Sequence, residues 1–576
     1  MKGHGLISAA FVLVAVAAAQ TLLGAAAAAK PGTVITYPTP SIYGVSATYA
    51  LKANGKAVPV VEFAKQYDYA VFSLDGPCTL EVTRLDGTPV KKHEISPEKL
   101  SLAGSASGAT LSFTIAGPQY LIVAVDELRK LVIAVDPPER DKPASSGAGI
   151  YNVTAEPYGA DPTGAAPATL AIQRAVDDAG NAGNAGNAGN AGKDARQSAV
   201  VYVPAGVYNL AELRLLSNVT LYLEGGAVLR LADRRENLKL RYHKRSQNRD
   251  GTWFIYTADG ATNVRILGRG TIDGDGQRIE KDLGLTSHIV VPMNCTGFTL
   301  DGAVLRDSGL WGTVIANSKQ VALRNTKHFN RLDMGEDDCI DVCNSQDVTV
   351  QRSIAISLDD PYSTKTWAAE TDLTRQWSGE FRANRNIRFD HCIAWTRCFA
   401  FKIGAGVWRD QENITVSNCV AYDSAHAIGI SHSYGSADVR SVTFDTIDVE
   451  RNTMTNLGRS WARFVIDPRQ SDGGKGGGVY DVHVRDIRVR DAGTMPVPVT
   501  GLSNERAIRG LTFANIRMPG HAAPAETLAQ IGVQGTRFAE GVAMLNPATD
   551  TSQQSNEIEG LGQADAHRSL SERTHP

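Results

Sequence analysis

The sequence predicts an all-β chain in which a right-handed parallel β-helix is preceded by a small β-sandwich domain. Three observations carry that expectation. A short phrase, a polar residue or glycine, then an aliphatic residue or Phe, a variable residue and another apolar one, recurs from Asn218-Val-Thr-Leu221 to Gly510-Leu-Thr-Phe513. Its copies are rich in Val, Ile and Thr and no helical pattern separates them, which favours β coils over leucine-rich repeats. Before residue 137 the pattern changes to short alternating runs broken by Asp-Gly turns, as in a sandwich.

The 576 residues exceed the roughly 250–300 at which a single core stops growing, so two or more domains are expected. Met1-Lys-Gly-His followed by the apolar run Leu6 to Ala29 predicts a signal peptide over 1–29. The mature protein is then secreted or periplasmic and does not touch the membrane; the same run is also long enough for an uncleaved anchor. Residues 33–137 supply the sandwich strands, among them Tyr69 to Leu74, Cys78 to Thr83, Leu111 to Ile115, Tyr120 to Val125 and Lys130 to Val135. The Pro- and Ser-containing stretch 138–149 is a linker.

The β-helix is expected over 150–525. An amphipathic helix from Thr169 to Asp178 caps its first coil, the Asn-Ala-Gly repeat from Gly180 to Gly192 is a flexible insertion, and Ala199 to Tyr208 is the first strong strand. The phrase then recurs after 23 residues from Phe298 to Val321, 27 from Val321 to Val348, and 27 from Ile387 to Ile414. The longer gap of 39 from Val348 to Ile387 is one coil carrying an inserted loop. Residues 526–576 are expected to be a tail, largely disordered.

Net charge is −3, which argues against nucleic acid as a partner. The seven cysteines lack disulfide-scaffold density and zinc-type spacing, and no acidic cluster has EF-hand spacing, so neither a metal nor another cofactor is implied. A monomer is expected.

Chemistry concentrates in Arg331-Leu-Asp-Met-Gly-Glu-Asp-Asp-Cys-Ile-Asp341 and, one coil later, Ser357-Leu-Asp-Asp-Pro-Tyr-Ser-Thr-Lys-Thr-Trp367. Coils of a β-helix stack about 4.8 Å apart, so Asp338 and the pair Asp359-Asp360 are expected to share one cleft. Carboxylates that close repel, so one keeps its proton while another ionises, the pairing glycosidic hydrolysis requires. Lys365 and Lys402 are positioned to meet either these acids or an acidic sugar. Trp311 and Trp367 could stack on sugar rings or pack along a coil edge, and His426 could face the cleft or fill the core. Asp337 and Asp341 are read as structural.

These motifs resemble those of family 28 glycoside hydrolases, the polygalacturonase family, in its bacterial type with an N-terminal β-sandwich. Glu336-Asp-Asp-Cys-Ile-Asp341 is similar to the family's Asn-Thr-Asp-Gly-Ile-Asp motif, and Leu358-Asp-Asp-Pro361 to its Asp-Asp-Cys motif. Tyr158 to Gly164, Val201 to Tyr208, Gly270 to Gly274 and Leu305 to Trp311 resemble landmarks of its earlier coils. The resemblance implies that Asp359 is the general acid, that Asp338 and Asp360 activate water, and that the substrate is a pectin-like or related acidic polysaccharide or oligosaccharide cleaved with inversion. Two landmarks differ: Phe399 stands where the family's Gly-His-Gly motif has its histidine, and Arg463-Phe-Val-Ile466 is the nearest counterpart of its Arg-Ile-Lys motif. A polysaccharide lyase on the same fold and a non-catalytic glycan-binding β-helix are the alternatives.

Overall fold

The computed structural model describes residues 30–189, 199–454, 458–470 and 477–545. The expected signal peptide and the chain beyond 545 lie outside the described residues. Two mostly antiparallel sheets of six and five strands are built from residues before 137 and enclose a core that includes Phe72, Leu80, Phe113, Leu121 and Ile133. Three sheets of 14, 11 and 12 strands follow, parallel throughout except where Tyr242–Lys244 pairs antiparallel with Arg249–Thr257. Each strand of one sheet hands the chain to the next sheet, so the polypeptide winds as a parallel β-helix around a core running from Val153 to Val533.

The recurring phrase has a physical reason. Its first residue takes a left-handed backbone in coil after coil: φ is 62° at Asn218, 52° at Asn263, 78° at Gly297, 56° at Asp347, 59° at Asn386 and 52° at Asn413. Glycine, asparagine and aspartate adopt that conformation at the lowest cost, which is why most copies open on them; Gln320 and Ser441 take the same backbone, at 56° and 55°. The apolar residues that follow then point inward, as Val348, Ile387 and Ile414 do, in register from coil to coil.

Two boundaries differ from expectation. The helix spans Thr169–Gly189, continuing into the Asn-Ala-Gly repeat instead of ending at Asp178. Alanine favours the helix, and Gly180 and Gly183 leave room for Leu216 and Asn218 to approach it. The rod also runs past 525, because Val533–Arg537 pairs with Val497–Thr500 while Ala539–Glu540 and Ala543–Leu545 pair with Ile508–Ala514. Backbone groups of the last full coil would otherwise present an unpaired edge.

The sandwich lies against the 11-stranded sheet. Tyr67, Tyr69, Tyr120 and Ile122 pack on Phe329, Ile354, Trp395 and Tyr422 in one apolar cluster. Polar staples cross the same seam: Lys327 pairs with Asp136, Tyr43 Oη donates to Asp273 at 2.7 Å, and Tyr67 Oη donates to the Asn330 carbonyl at 2.8 Å. The linker is held to the rod as well, with Lys142 3.2 Å from Glu224 and the Tyr222 hydroxyl 2.8 Å from Glu139.

Candidate active site

The 12-stranded sheet carries the acidic residues. Its strands Ile340–Cys343, Tyr362–Thr366, Phe399–Val407 and His426–Tyr434 align Asp341, Ser363, Lys402 and Gly429 in one row across four coils, and Arg463 of the next strand continues it. Because Ile340 pairs with Tyr362, the residues two positions earlier, Asp338 and Asp360, lie opposite each other. The Cys339 amide accordingly donates to the Asp360 carbonyl at 3.1 Å. Asp359 instead sits opposite Asp337, whose Oδ1 accepts the amides of Leu358 and Asp359 at 2.9 and 3.0 Å. Asp337 therefore fixes the turn that presents Asp359.

Two lysines enter this cluster. Lys365 Nζ contacts Asp338 and also lies 2.5 Å from Asp341, which in turn accepts from Ser363 Oγ at 2.8 Å. Lys402 Nζ lies 2.7 Å from Asp360. Four carboxylates thus face two ammonium groups, and in so dry a place the surplus is relieved by holding protons. Burial, the largest cause, pushes Asp338, Asp341 and Asp359 above the usual carboxylate range, and neighbouring carboxylates add to it. Asp360 goes the other way: burial alone would raise it, but Lys402 and Lys365 hold it below the ordinary value. Burial opposes the charge on Lys365, yet Asp338, Asp341 and Asp360 keep it firmly cationic.

Exposure separates the acids. Asp338 and Asp360 retain only 2% and 1% of their surface, whereas Asp359 is half-buried and opens to solvent. The nearest oxygens of Asp359 and Asp360 and the Cys398 sulfur all lie within 4.8 Å of one another. The cation of that group is Lys402.

Two expected ligand contacts are corrected. Trp311 is buried between His288 and Trp367, with ring centroids 6.0 Å away on each side, and the Lys365 ammonium lies 4.2 Å from its ring centre. It supports the lysine by cation–π attraction and has no open face for a sugar. His426 is also buried, its ring 4.7 Å from that of Phe399 and its Nδ1 3.0 Å from Ser460 Oγ. Phe399 covers it. Trp367 is the half-exposed aromatic at this position, and it ends a stack that begins at Tyr242 and His288.

Several contributors come from outside the acidic motifs. The insertions near 240 and 372 meet beside the acids: Arg245 Nε lies 2.5 Å from Asp372, and Lys244 lies 2.7 Å from Glu336 and 4.9 Å from the Trp311 ring centre. They form a wall on the side of the earlier coils. Toward the later coils, a cavity of about 100 Å³ is lined by Lys402, Ser431, Ser433, Arg463 and Asp467. The sandwich reaches the loop before Asp338 too, since Gln66 Oε1 accepts the Leu332 amide at 2.6 Å and Asn330, held by Tyr67, donates to the Asp337 carbonyl at 2.8 Å. Contacts between residues more than 260 positions apart leave no local trace in a sequence.

Among known proteins, the sequence model of the glycosyl hydrolases family 28 matches residues 194–491. No curated protein sequence matches the chain. Similar solved structures include the family 28 exopolygalacturonase of Yersinia enterocolitica, 14% identical, covering 88% of this chain and 99% of that one with a TM-score of 0.46. The hyperthermoactive exopolygalacturonase of Thermotoga maritima is 16% identical over 69% of this chain and 91% of its own, with a TM-score of 0.48. Dex49A from Penicillium minioluteum is 12% identical over 89% and 96%, with a TM-score of 0.47. With more than half its length matched by the family, and its acidic cluster inside the match, the chain belongs to the glycosyl hydrolases family 28 and is a glycoside hydrolase.

Proposed function

We propose that the protein is exported and hydrolyses a pectin-like or related acidic polysaccharide with inversion of the anomeric carbon, Asp359 serving as general acid. The observation that carries this reading is the opposed tuning of neighbouring carboxyls. Asp359 is raised and reaches solvent, so it can hold a proton for the leaving oxygen; Asp360 is lowered and stays ionised. Pairs of acids pushed apart in this way divide the acid and base roles.

Asp338 and Asp360 direct the attacking water in this proposal. Their near-complete burial restricts them to a partner of about the size of water. Asp359 and Asp360 oxygens within 4.8 Å of each other are closer than the roughly 6.5–9.5 Å that an inverting pair uses to hold water, so the water's place is on the Asp338 side. Lys402 and Lys365 keep Asp360 charged. The wall formed by Lys244, Arg245 and Asp372 closes the trough next to the acids and favours attack at a chain end.

The test is a reducing-sugar screen over pectic and other acidic polysaccharides, with the first-formed anomer read by NMR and product length by chromatography. Inverted anomers and short products from the earliest times are expected. Retained anomers would overturn the assignment of water to Asp338 and Asp360, and unsaturated products absorbing in the ultraviolet would replace hydrolysis by elimination.

A further inference from the structure

We propose a second carbohydrate-binding site, separate from the acidic cluster, in which arginines along the seam between linker and rod hold the carboxylates of an acidic polysaccharide. The seam contains a cavity of about 470 Å³ into which Arg140, Arg265, Arg324 and Arg352 project. A second cavity of about 200 Å³ continues it, sharing Pro137, Asn325 and Arg352 and adding Lys99 and His391. None of these residues belongs to the strands that carry the acidic cluster.

Charge is the first argument. The whole chain carries −3, yet positive charge gathers here. The acids of the seam are already engaged: Glu139 accepts from Tyr222 at 2.8 Å and Asp301 from Asn325 at 2.7 Å. Asp141 is the remaining acid of the larger cavity. Arg140, Arg324 and Arg352 are exposed, and among the described residues none of them makes an ion pair or a side-chain hydrogen bond. A guanidinium with both edges available matches a carboxylate in bidentate fashion.

Geometry is the second. Arg324 pairs in register with Gln351, which Arg352 follows, so the two guanidinium-bearing residues sit on adjacent coils about 4.8 Å apart along the rod. Gly302, Asn325, Arg352, His391 and Asn418 occupy the same corner of five successive coils, all at positive φ. Glycine and asparagine suit that backbone; arginine does not, and a bulky residue there costs on the order of 1 kcal/mol. An arginine at this corner, with its side chain unpaired, contributes nothing to the fold that asparagine would not. A chain with regularly spaced carboxylates lying along the rod axis would meet Arg324 and Arg352 on adjacent rungs, with His391, 3.0 Å from Asp390, on the rung after them.

The ligand class rests on the acidic-polysaccharide reading above, and the test separates the two. The full-length protein carrying Asp359→Asn, so that it cannot digest the probe, is run by affinity electrophoresis through gels containing polygalacturonate, with and without Arg324→Ala and Arg352→Ala together. Retardation by polygalacturonate should weaken about tenfold in the arginine variant and fall with added salt, while the same two changes in the active enzyme leave hydrolysis of a short oligosaccharide unchanged. Equal retardation of both proteins would overturn the site. So would equal retardation by a neutral polysaccharide or by duplex DNA. If no acidic polysaccharide is hydrolysed by the active enzyme yet retardation still depends on the arginines, the catalytic reading fails and the binding site stands.

Discussion

Among the described residues, two buried lysine clusters differ in one respect that separates structure from chemistry. In the seam with the sandwich, Lys327 is fully buried and its ammonium meets Asp136, the Gly302 carbonyl at 2.6 Å and the Asn325 carbonyl at 2.9 Å, with Arg269 3.4 Å from the same carboxylate. There cations are not outnumbered. In the cleft, Lys365 and Lys402 face Asp338, Asp341, Asp359 and Asp360, so carboxylates are in surplus. The lysine shifts follow: burial lowers Lys327, whereas the surplus of acids outweighs burial and raises Lys365. The acid-rich cluster is the one that pushes carboxyls, Asp338, Asp341 and Asp359, above their usual range and so equips one of them to carry a proton.

The contrast is tested most strongly at Asp359. Asp359→Asn removes the proposed proton donor and is expected to lower kcat by about 10²–10⁴-fold, with the thermal midpoint little changed because the amide keeps the size and shape of the carboxyl. The seam should behave in the opposite way. Lys327→Met strands a buried Asp136 carboxylate and should cost about 3–5 kcal/mol of stability in chemical denaturation, while the folded fraction turns over at the wild-type rate. A kcat loss in Lys327→Met, measured per folded molecule, would mean the two clusters are not independent.

Lys402 offers a finer test. Its ammonium, with that of Lys365, holds Asp360 below the ordinary range against the effect of burial. Removing it with Lys402→Met lets the Asp360 value rise, so the acid limb of the kcat/KM profile should move to higher pH by about one unit or more. The basic limb, which reports loss of the Asp359 proton, should move less, since burial and Asp360 come before Lys402 among its causes.

How much of this was legible in the sequence follows from the range of each interaction. The coil repeat was, because most coils open on a residue that tolerates positive φ, as Asn218, Asp347 and Asn413 do. Asp338, Asp359 and Asp360 were, because stacking converts a spacing of about one coil into contact. The partner of each was not: a one-residue difference in register places Asp338 opposite Asp360 and gives Asp359 to Asp337. The burial of Trp311 depends on His288 and Trp367 from two other coils, and that of His426 on Phe399, which no local pattern encodes. The role of the sandwich was invisible for the same reason. Tyr67→Phe removes the hydroxyl bond to the Asn330 carbonyl, worth about 1 kcal/mol. Through Asn330 and Asp337 it should lower kcat a few-fold with KM unchanged, making Tyr67 a positioning residue; a fall in stability alone would reduce the contact to docking.

The smallest effect concerns Asp337, where the sign is informative. Burial pushes its carboxyl well above the usual range. An acid with a raised folded value binds its proton more tightly folded than unfolded, so stability declines as pH rises from the unfolded value near 4 toward the folded one. Asp337→Asn keeps an oxygen for the amides of Leu358 and Asp359, and its nitrogen replaces Oδ2, which has no hydrogen-bond partner among the described residues. At pH 7 the variant should therefore melt higher than wild type, by about 2 °C, and the difference should shrink to nothing as pH falls to 4. Such a gain would show that the cleft retains a charge the fold would be more stable without. A variant less stable at neutral pH would instead place Asp337 with Asp136, among the carboxylates that hold the rod and sandwich together.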